Sequence, residues 1–258
     1  MPKRIPPLRY GKMVILSLLG WLAVIVNTLV FALLAGALGF FDKSGNSGHR
    51  LAAQPWARSI LTMVGVRIRL KGMEHLDPKR GYILTANHLS LFDILVLLAG
   101  LPLQFRWMAK KEVFRIPVMG WAMKRVGYIS IDRENKEEAW KSVHAGKAKL
   151  SQGLSLMFFP EGTRSPDGEL KRFKSGAFVL SLESGAPVGP ISIVGTHEIM
   201  PKKSVLFHPG TVDMIVSPPI DPSFFSVETR YEFAQVVRSQ IAVELEKTRL
   251  QRKASGKS

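Results

Sequence analysis

His88 and Asp93 are the residues whose types and spacing could move a proton. They lie five apart in Asn87-His88-Leu89-Ser90-Leu91-Phe92-Asp93, directly after the apolar run 82–86. That run reads as a buried strand. Ser90 and Asp93 have capping-box spacing before a helix predicted over 91–100. On one continuous helix, five residues rotate by about 500° and turn the side chains apart. A turn after His88 lets the carboxylate fold back onto the ring. A carboxylate on one ring nitrogen fixes the tautomer and leaves the other nitrogen free as a general base. The plainer alternatives are a helix cap for Asp93 and a backbone partner for His88.

A second polar stretch follows another apolar run, 154–159. It reads Pro160-Glu161-Gly162-Thr163-Arg164-Ser165, then turns at Pro166-Asp167-Gly168. Glycine lets backbone approach a ligand, and Thr, Arg and Ser are donors. The Arg164 fork suits a phosphate. In an arbitrary loop, Glu161 and Arg164 would simply pair with each other.

The elements that position these stretches alternate. Strands are predicted at 66–70, 83–86, 105–109, 127–131, 154–159, 191–194 and 212–216. Helices are predicted near 91–100, 117–125, 135–151, 175–184 and 227–248. In the third of these, Ala139, Val143, Gly146 and Leu150 share a face. Strand–helix alternation argues for an α/β domain with a largely parallel central sheet flanked by helices. Residues 66–250 form that domain and 251–258 a frayed basic tail.

Ahead of it, residues 13–41 carry no charge over 29 positions, which predicts a membrane-embedded helical segment. Ala35-Gly36-Ala37 resembles a signal cleavage site, but the apolar run before it is too long for a signal peptide. As one helix, 29 residues would run about 43 Å, against a hydrocarbon core of roughly 30 Å. Lys and Arg flank both sides, so charge gives no clear crossing. The expectation is a shallow or re-entrant anchor, a helix or hairpin, bending at Asn27-Thr28 with both ends cytosolic. After a turn-rich linker at 42–48, residues 51–65 read as a helix. Trp56 and Arg58 suit an interfacial role there, and an ordinary surface helix fits as well. Residues 1–65 together form the anchor.

The 258 residues carry a formal charge of +16 and no cysteine. That composition excludes a disulfide scaffold, a thiolate zinc site and a cysteine nucleophile. The basic balance suits an anionic membrane face or an acidic partner. Most aromatics sit in apolar runs rather than among the charges, which argues against nucleic acid. There is no His-Glu-x2-His, Walker loop or Gly-x-Gly-x2-Gly, so neither a metal nor a nucleotide cofactor is expected.

Asn87-His88-x4-Asp93 with Phe159-Pro160-Glu161-Gly162-Thr163-Arg164-Ser165 resembles the glycerolipid acyltransferases. Within them the chain looks most like the 1-acyl-glycerol-3-phosphate (lysophosphatidic acid) acyltransferases. Further segments match in order. They are Lys110-Lys111-Glu112 with Pro117 and Gly120, the run Gly127 to Arg133, Phe173-Lys174-Ser175-Gly176-Ala177, and Ala186-Pro187-Val188-Gly189-Pro190-Ile191. Gly189 departs from the branched apolar residue usual in the family.

The resemblance implies acyl transfer from a coenzyme A or acyl carrier protein thioester to a lysolipid hydroxyl, giving phosphatidic acid at the cytoplasmic face of the inner membrane. It implies His88 as base and Asp93 as its orienting partner, with no acyl-enzyme and with oxyanion donors in the His88 turn. The acceptor phosphate falls to Arg164, then Arg133 and Lys110, beside Glu161, Gly162 and Thr163. Partners are membrane lipids and the acyl donor, which includes an acidic carrier protein. Rival readings are an acyltransferase for another lyso-lipid (including lyso-ornithine lipid) or for glycerol 3-phosphate. A non-catalytic basic membrane tether is the rival from outside enzymes.

Overall fold

Three runs in this chain bury every residue, and they form the centre of the sheet: β2 (Ile83–Ala86), β5 (Ser155–Phe158) and β6 (Val188–Val194). Runs covered on both faces read as continuous apolar strings because helices pack on each side. The computed structural model describes residues 7–132 and 135–256. Among them β1 (Val66–Lys71), β3 (Phe105–Lys110), β4 (Ile129–Ile131) and β7 (Gly210–Val216) complete one sheet. Its order is β1-β7-β6-β2-β5-β3-β4, and every pair is parallel except β6–β7. All seven predicted strands are present.

The helices divide between two faces. One face carries α1 (Pro7–Phe41), α3 (Gln54–Val64) and α4 (Phe92–Gly100), packed on Phe105, Trp107 and Leu84. Between α1 and α3 lie a one-turn α2 (Asn46–Gly48) and a wide helical turn (His49–Ala53), so the predicted linker is partly helical. α5 (Met119–Arg125) packs against α1 and against the helical turn Lys111–Arg115 that follows β3. The other face carries α6 (Lys136–Leu150), α7 (Gly176–Ser184) and α9 (Arg230–Ala254), with Phe178 and Phe233 at its core; a short α8 (Thr196–Ile199) sits in the β6–β7 connection.

Three expectations change. α9 runs into the tail predicted to fray, as far as Ala254, and buried Arg252 there donates to Asp213 at 2.9 Å and to the Thr211 carbonyl. Asp213 also takes a two-pronged bond from Arg69 at 2.6 and 2.7 Å. Gly189 lies inside β6, where Leu84 and Leu76 press on the space its side chain would take.

The largest change is in α1. It is one continuous helix, with no break at Asn27-Thr28. The Asn27 amide bonds the Ser59 hydroxyl of α3, and Thr28 accepts from the Trp56 indole. The two most polar residues of the run thus join helix to helix. Trp56, expected at the headgroup level, faces inward. The Phe207 ring lies where a Gly20 side chain would be, Trp121 covers Gly36, and the Arg125 side chain covers Gly39. From Gly20 to Gly39 the helix follows the domain for about 29 Å. Its opposite face is apolar and bare: Leu22, Ile25, Val26, Leu29, Val30 and Leu33 are exposed.

Gly36→Leu places a side chain inside the Trp121 ring position. Overpacking of this kind costs about 1–3 kcal/mol. A melting experiment in detergent is expected to show a matching loss of stability; an unchanged melt would mean α1 does not pack on α5.

Candidate active site

β2 and β5 are neighbours in mid-sheet, and their connections leave in opposite directions. β2 runs to α4 on one face; β5 leads to α7 on the other. Such a divergence opens a crevice at the carboxyl ends of the strands, where open α/β sheets bind ligands. His88 follows β2 and Glu161 follows β5, so both sequence motifs meet at this crevice.

Asn87 starts the turn. Its side chain continues the ladder to β6, donating to the Ile193 carbonyl at 2.9 Å and accepting from the Ile193 N–H at 2.7 Å. The chain then folds around the fully buried Asp93. One carboxylate oxygen, Oδ2, accepts from the Leu89 N–H at 2.6 Å and the Ser90 N–H at 2.8 Å, and lies 2.9 Å from His88 Nδ1. A carboxylate only accepts, so Nδ1 carries the proton and Nε2 presents a lone pair. The predicted capping box forms in half: Asp93 takes the Ser90 N–H, while the Ser90 hydroxyl donates to the Met200 carbonyl and accepts from the Phe92 N–H. That engagement removes Ser90 from nucleophilic chemistry. The imidazole stacks on Phe159, with centroids 3.8 Å apart and planes 7° apart.

Glu161 has a different position from the one expected. It is buried and pairs with neither Arg164 nor open space. Oε1 accepts the His88 N–H at 2.7 Å and Oε2 the Lys171 N–H at 3.1 Å. The Ser165 N–H donates to the His88 carbonyl at 2.8 Å. Glu161 therefore ties the two loops together across the crevice. Burial pushes its pKa up, and the two backbone donors oppose that shift. The same bonds overturn the expected oxyanion donors. The N–H groups of His88, Leu89 and Ser90 are already spent on carboxylates.

A cavity of about 430 Å³ opens beside His88. Lys110, Gly162, Thr163 and Arg164 line it together with His88, so five of the predicted residues share one space. The Arg164 guanidinium makes no hydrogen bond or ion pair among the described residues, whereas Lys110 pairs with Glu112 at 3.3 Å on the surface. Arg133 lies outside the described residues. The other walls were not legible in the motifs: Phe31, Ala32 and Ala35 of α1, Trp56 of α3, Leu98 of α4, Met119 and Met123 of α5. Their one signal was the small-residue spacing of α1, which read as membrane helix alone. Within the described residues no cluster of three or more metal-ligating side chains occurs.

The Acyltransferase family pattern matches residues 67–194. A chloroplastic 1-acyl-sn-glycerol-3-phosphate acyltransferase of Arabidopsis thaliana is 37% identical over 188 residues, 71% of this chain and 51% of that one. A 1-acyl-sn-glycerol-3-phosphate acyltransferase of Chlamydomonas reinhardtii is 31% identical over 226 residues, 87% of this chain and 67% of that one. The crystal structure of the 1-acyl-sn-glycerophosphate (LPA) acyltransferase PlsC from Thermotoga maritima superposes with a TM-score of 0.79 at 25% identity, covering 93% of this chain and 97% of that one. This chain spans about half the length of the plant chloroplastic relatives it matches.

Glu161→Gln sets an amide NH2 against one of the two backbone donors. An unsatisfied buried donor costs about 1–3 kcal/mol, so kcat is expected to fall by one to two orders of magnitude. The KM for acceptor is expected to hold. A raised KM at normal kcat would return Glu161 to the substrate.

Proposed function

The chain belongs to the acyltransferase family, and from that premise we propose that it transfers a fatty acyl group from a thioester to the free 2-hydroxyl of 1-acyl-glycerol-3-phosphate, giving phosphatidic acid. The observation that carries this reading is the shared space: a carboxylate-oriented histidine, and an arginine whose side chain has no partner among the described residues, line one largely apolar cavity.

The chemistry needs few groups. His88 Nε2 takes the hydroxyl proton as that oxygen attacks the thioester carbonyl. Asp93 stabilises the imidazolium that forms. The carbon–sulfur bond of the tetrahedral intermediate then breaks, the thiolate recovers the proton from His88, and the ester departs. With Ser90 committed to backbone, direct transfer is favoured over an acyl-enzyme. Arg164 holds the acceptor phosphate, with Lys110 and Arg133 as further cations. Donors for the oxyanion come from the Thr163–Arg164 segment, since the His88 turn is occupied. The donor thioester belongs to coenzyme A or to an acidic carrier protein, either of which suits a basic surface.

The relatives and the apolar face of α1 point to membrane association. Because the domain follows α1 from Gly20 to Gly39, the proposed placement has the helix in one leaflet with its bare face in lipid, on the cytoplasmic side. That reading keeps His88 on the side where thioesters are made.

The test is an acceptor panel with purified enzyme and labelled acyl donor: 1-acyl-glycerol-3-phosphate, lyso-ornithine lipid, other lyso-lipids and glycerol 3-phosphate. Highest kcat/KM on the first is expected. Arg164→Lys is expected to cut that value by one to two decades, through the acceptor KM, since losing a charged hydrogen bond costs about 1.5–3 kcal/mol. A rise in donor KM alone would move Arg164 to the donor.

His88→Ala and Asp93→Asn are each expected to remove nearly all turnover, and the double variant to be little worse than His88→Ala, because residues acting as a unit are non-additive. A folded His88→Ala enzyme with near-normal rate would sink the mechanism.

A further inference from the structure

The Arg164 guanidinium has no partner among the described residues, yet the main chain beneath it is held at both ends of one peptide group. The Ser165 N–H donates to the His88 carbonyl at 2.8 Å. The carbonyl of that same peptide group, which belongs to Arg164, accepts from Lys202 Nζ at 2.8 Å. A planar unit bonded at both its N–H and its C=O resists rotation. The root of the Arg164 side chain is therefore fixed relative to His88. Lys202 lies 38 residues further along the chain, outside both sequence motifs.

The connection that carries Lys202, between α8 and β7, is itself tied down. Two residues before Lys202, the Met200 carbonyl accepts from Ser90 Oγ at 2.7 Å. The Ser204 N–H closes a turn on the Pro201 carbonyl at 3.1 Å. Inside that turn Lys203 sits at φ 72°, a left-handed conformation that is unfavourable for a residue with a side chain and persists only where the surroundings impose it. Beyond it the Val205 carbonyl accepts from the Trp21 indole at 2.6 Å. The Phe207 ring stands 5.9 Å from Trp21 of α1 and 6.3 Å from Phe92 of α4. The loop is pinned at its start to the His88 turn and at its end to two helices.

These bonds form a closed circuit. It runs from His88 to Ser165, from Arg164 to Lys202, from Met200 to Ser90, and along the chain back to His88. Lys202 supplies its only charged link. The lysine is half-buried, and no carboxylate pairs with it among the described residues. An ammonium is strongly hydrated by preference. Here it gives a donor to a backbone oxygen instead, which places a second cation on the main chain of the first.

We propose that Lys202 is a positioning residue for the acceptor: by holding the Arg164 carbonyl it pre-orients the guanidinium that receives the acceptor phosphate. The inference rests on the reading that Arg164 binds that phosphate. Lys202 is not part of the cavity wall and acts through Arg164 without touching substrate. When Lys202 is removed, the carbonyl end of the peptide group is released. Substrate binding must then supply the order that the fold supplies now, and affinity for the acceptor falls.

The experiment measures acceptor KM, donor KM and kcat for Lys202→Met, Arg164→Met and the double variant, with 1-acyl-glycerol-3-phosphate as acceptor. Methionine keeps an unbranched side chain and removes the donor. Acceptor KM is expected to rise about tenfold in Lys202→Met, the scale of one lost hydrogen bond from a charged group, while donor KM and kcat hold. In the Arg164→Met background the same change is expected to have no further effect, because a residue that acts through another is not additive with it. An equal rise in both backgrounds would make Lys202 act independently of Arg164 and overturns the positioning role. If Arg164→Met raises acceptor KM and Lys202→Met does not, the inference is overturned while the acceptor reading of Arg164 stands. If neither raises it, both are overturned. Should Lys202→Met fail to fold by circular dichroism, Lys202→Ala takes its place with the same rise expected, and an unchanged acceptor KM overturns the proposal.

Discussion

Burying a carboxylate is unfavourable unless donors surround it, and this constraint shapes the centre of the molecule twice. Asp93 meets it on Oδ2, which collects the Leu89 and Ser90 N–H groups and the His88 ring, while its buried Oδ1 has no partner among the described residues. Glu161 satisfies it by taking the His88 and Lys171 N–H groups from two different loops. His88 is fixed from the side chain by one acid and from the backbone by the other, with Phe159 stacked on its face. Its position therefore depends on β2, β5 and the crevice between them, and a disturbance in either loop reaches the imidazole.

The periodicity of the chain carried the sheet. β2, β5 and β6 are mainly apolar runs, with Thr85, Ser155 and Ser192 as their polar members, because helices cover both faces, and such runs are visible without coordinates. The His88–Asp93 contact was legible for a similar reason: the turn needed to join them is implied by the strand before and the helix after. Glu161 was not legible, because a glutamate beside an arginine in a polar loop has the composition of a surface pair. Only its burial reveals that its partners are backbone groups 73 and 10 residues away. The oxyanion donors were misread on the same ground, since hydrogen-bond commitments of N–H groups have no sequence signature. Hydropathy described α1 as lipid-seeking all round. The inner face differs from the outer in its glycines as well as in Asn27 and Thr28, and the glycines matter only once Phe207, Trp121 and Arg125 are in place.

The cavity is assembled from parts far apart in the chain: α1 and α3 from the anchor, α4 from the His88 stretch, α5 and β3 from the middle. A wall shared this way keeps water from an apolar ligand without a mobile cover. It also puts α1 and His88 on the walls of the same space.

The two-sidedness of α1 makes the anchor part of the enzyme rather than a detachable module. A transplanted helix of equal hydropathy would keep the chain on the membrane, yet it would bring its own pattern of bulk to the inner face. Without glycine at positions 20, 36 and 39 it could not lie flush on the domain, and the cavity would lose a side. Fragments without α1, and swapped anchors, therefore lose a wall of the cavity that holds His88. Drift in the outer face is free as long as it stays greasy; drift in the inner face is answerable to the active site.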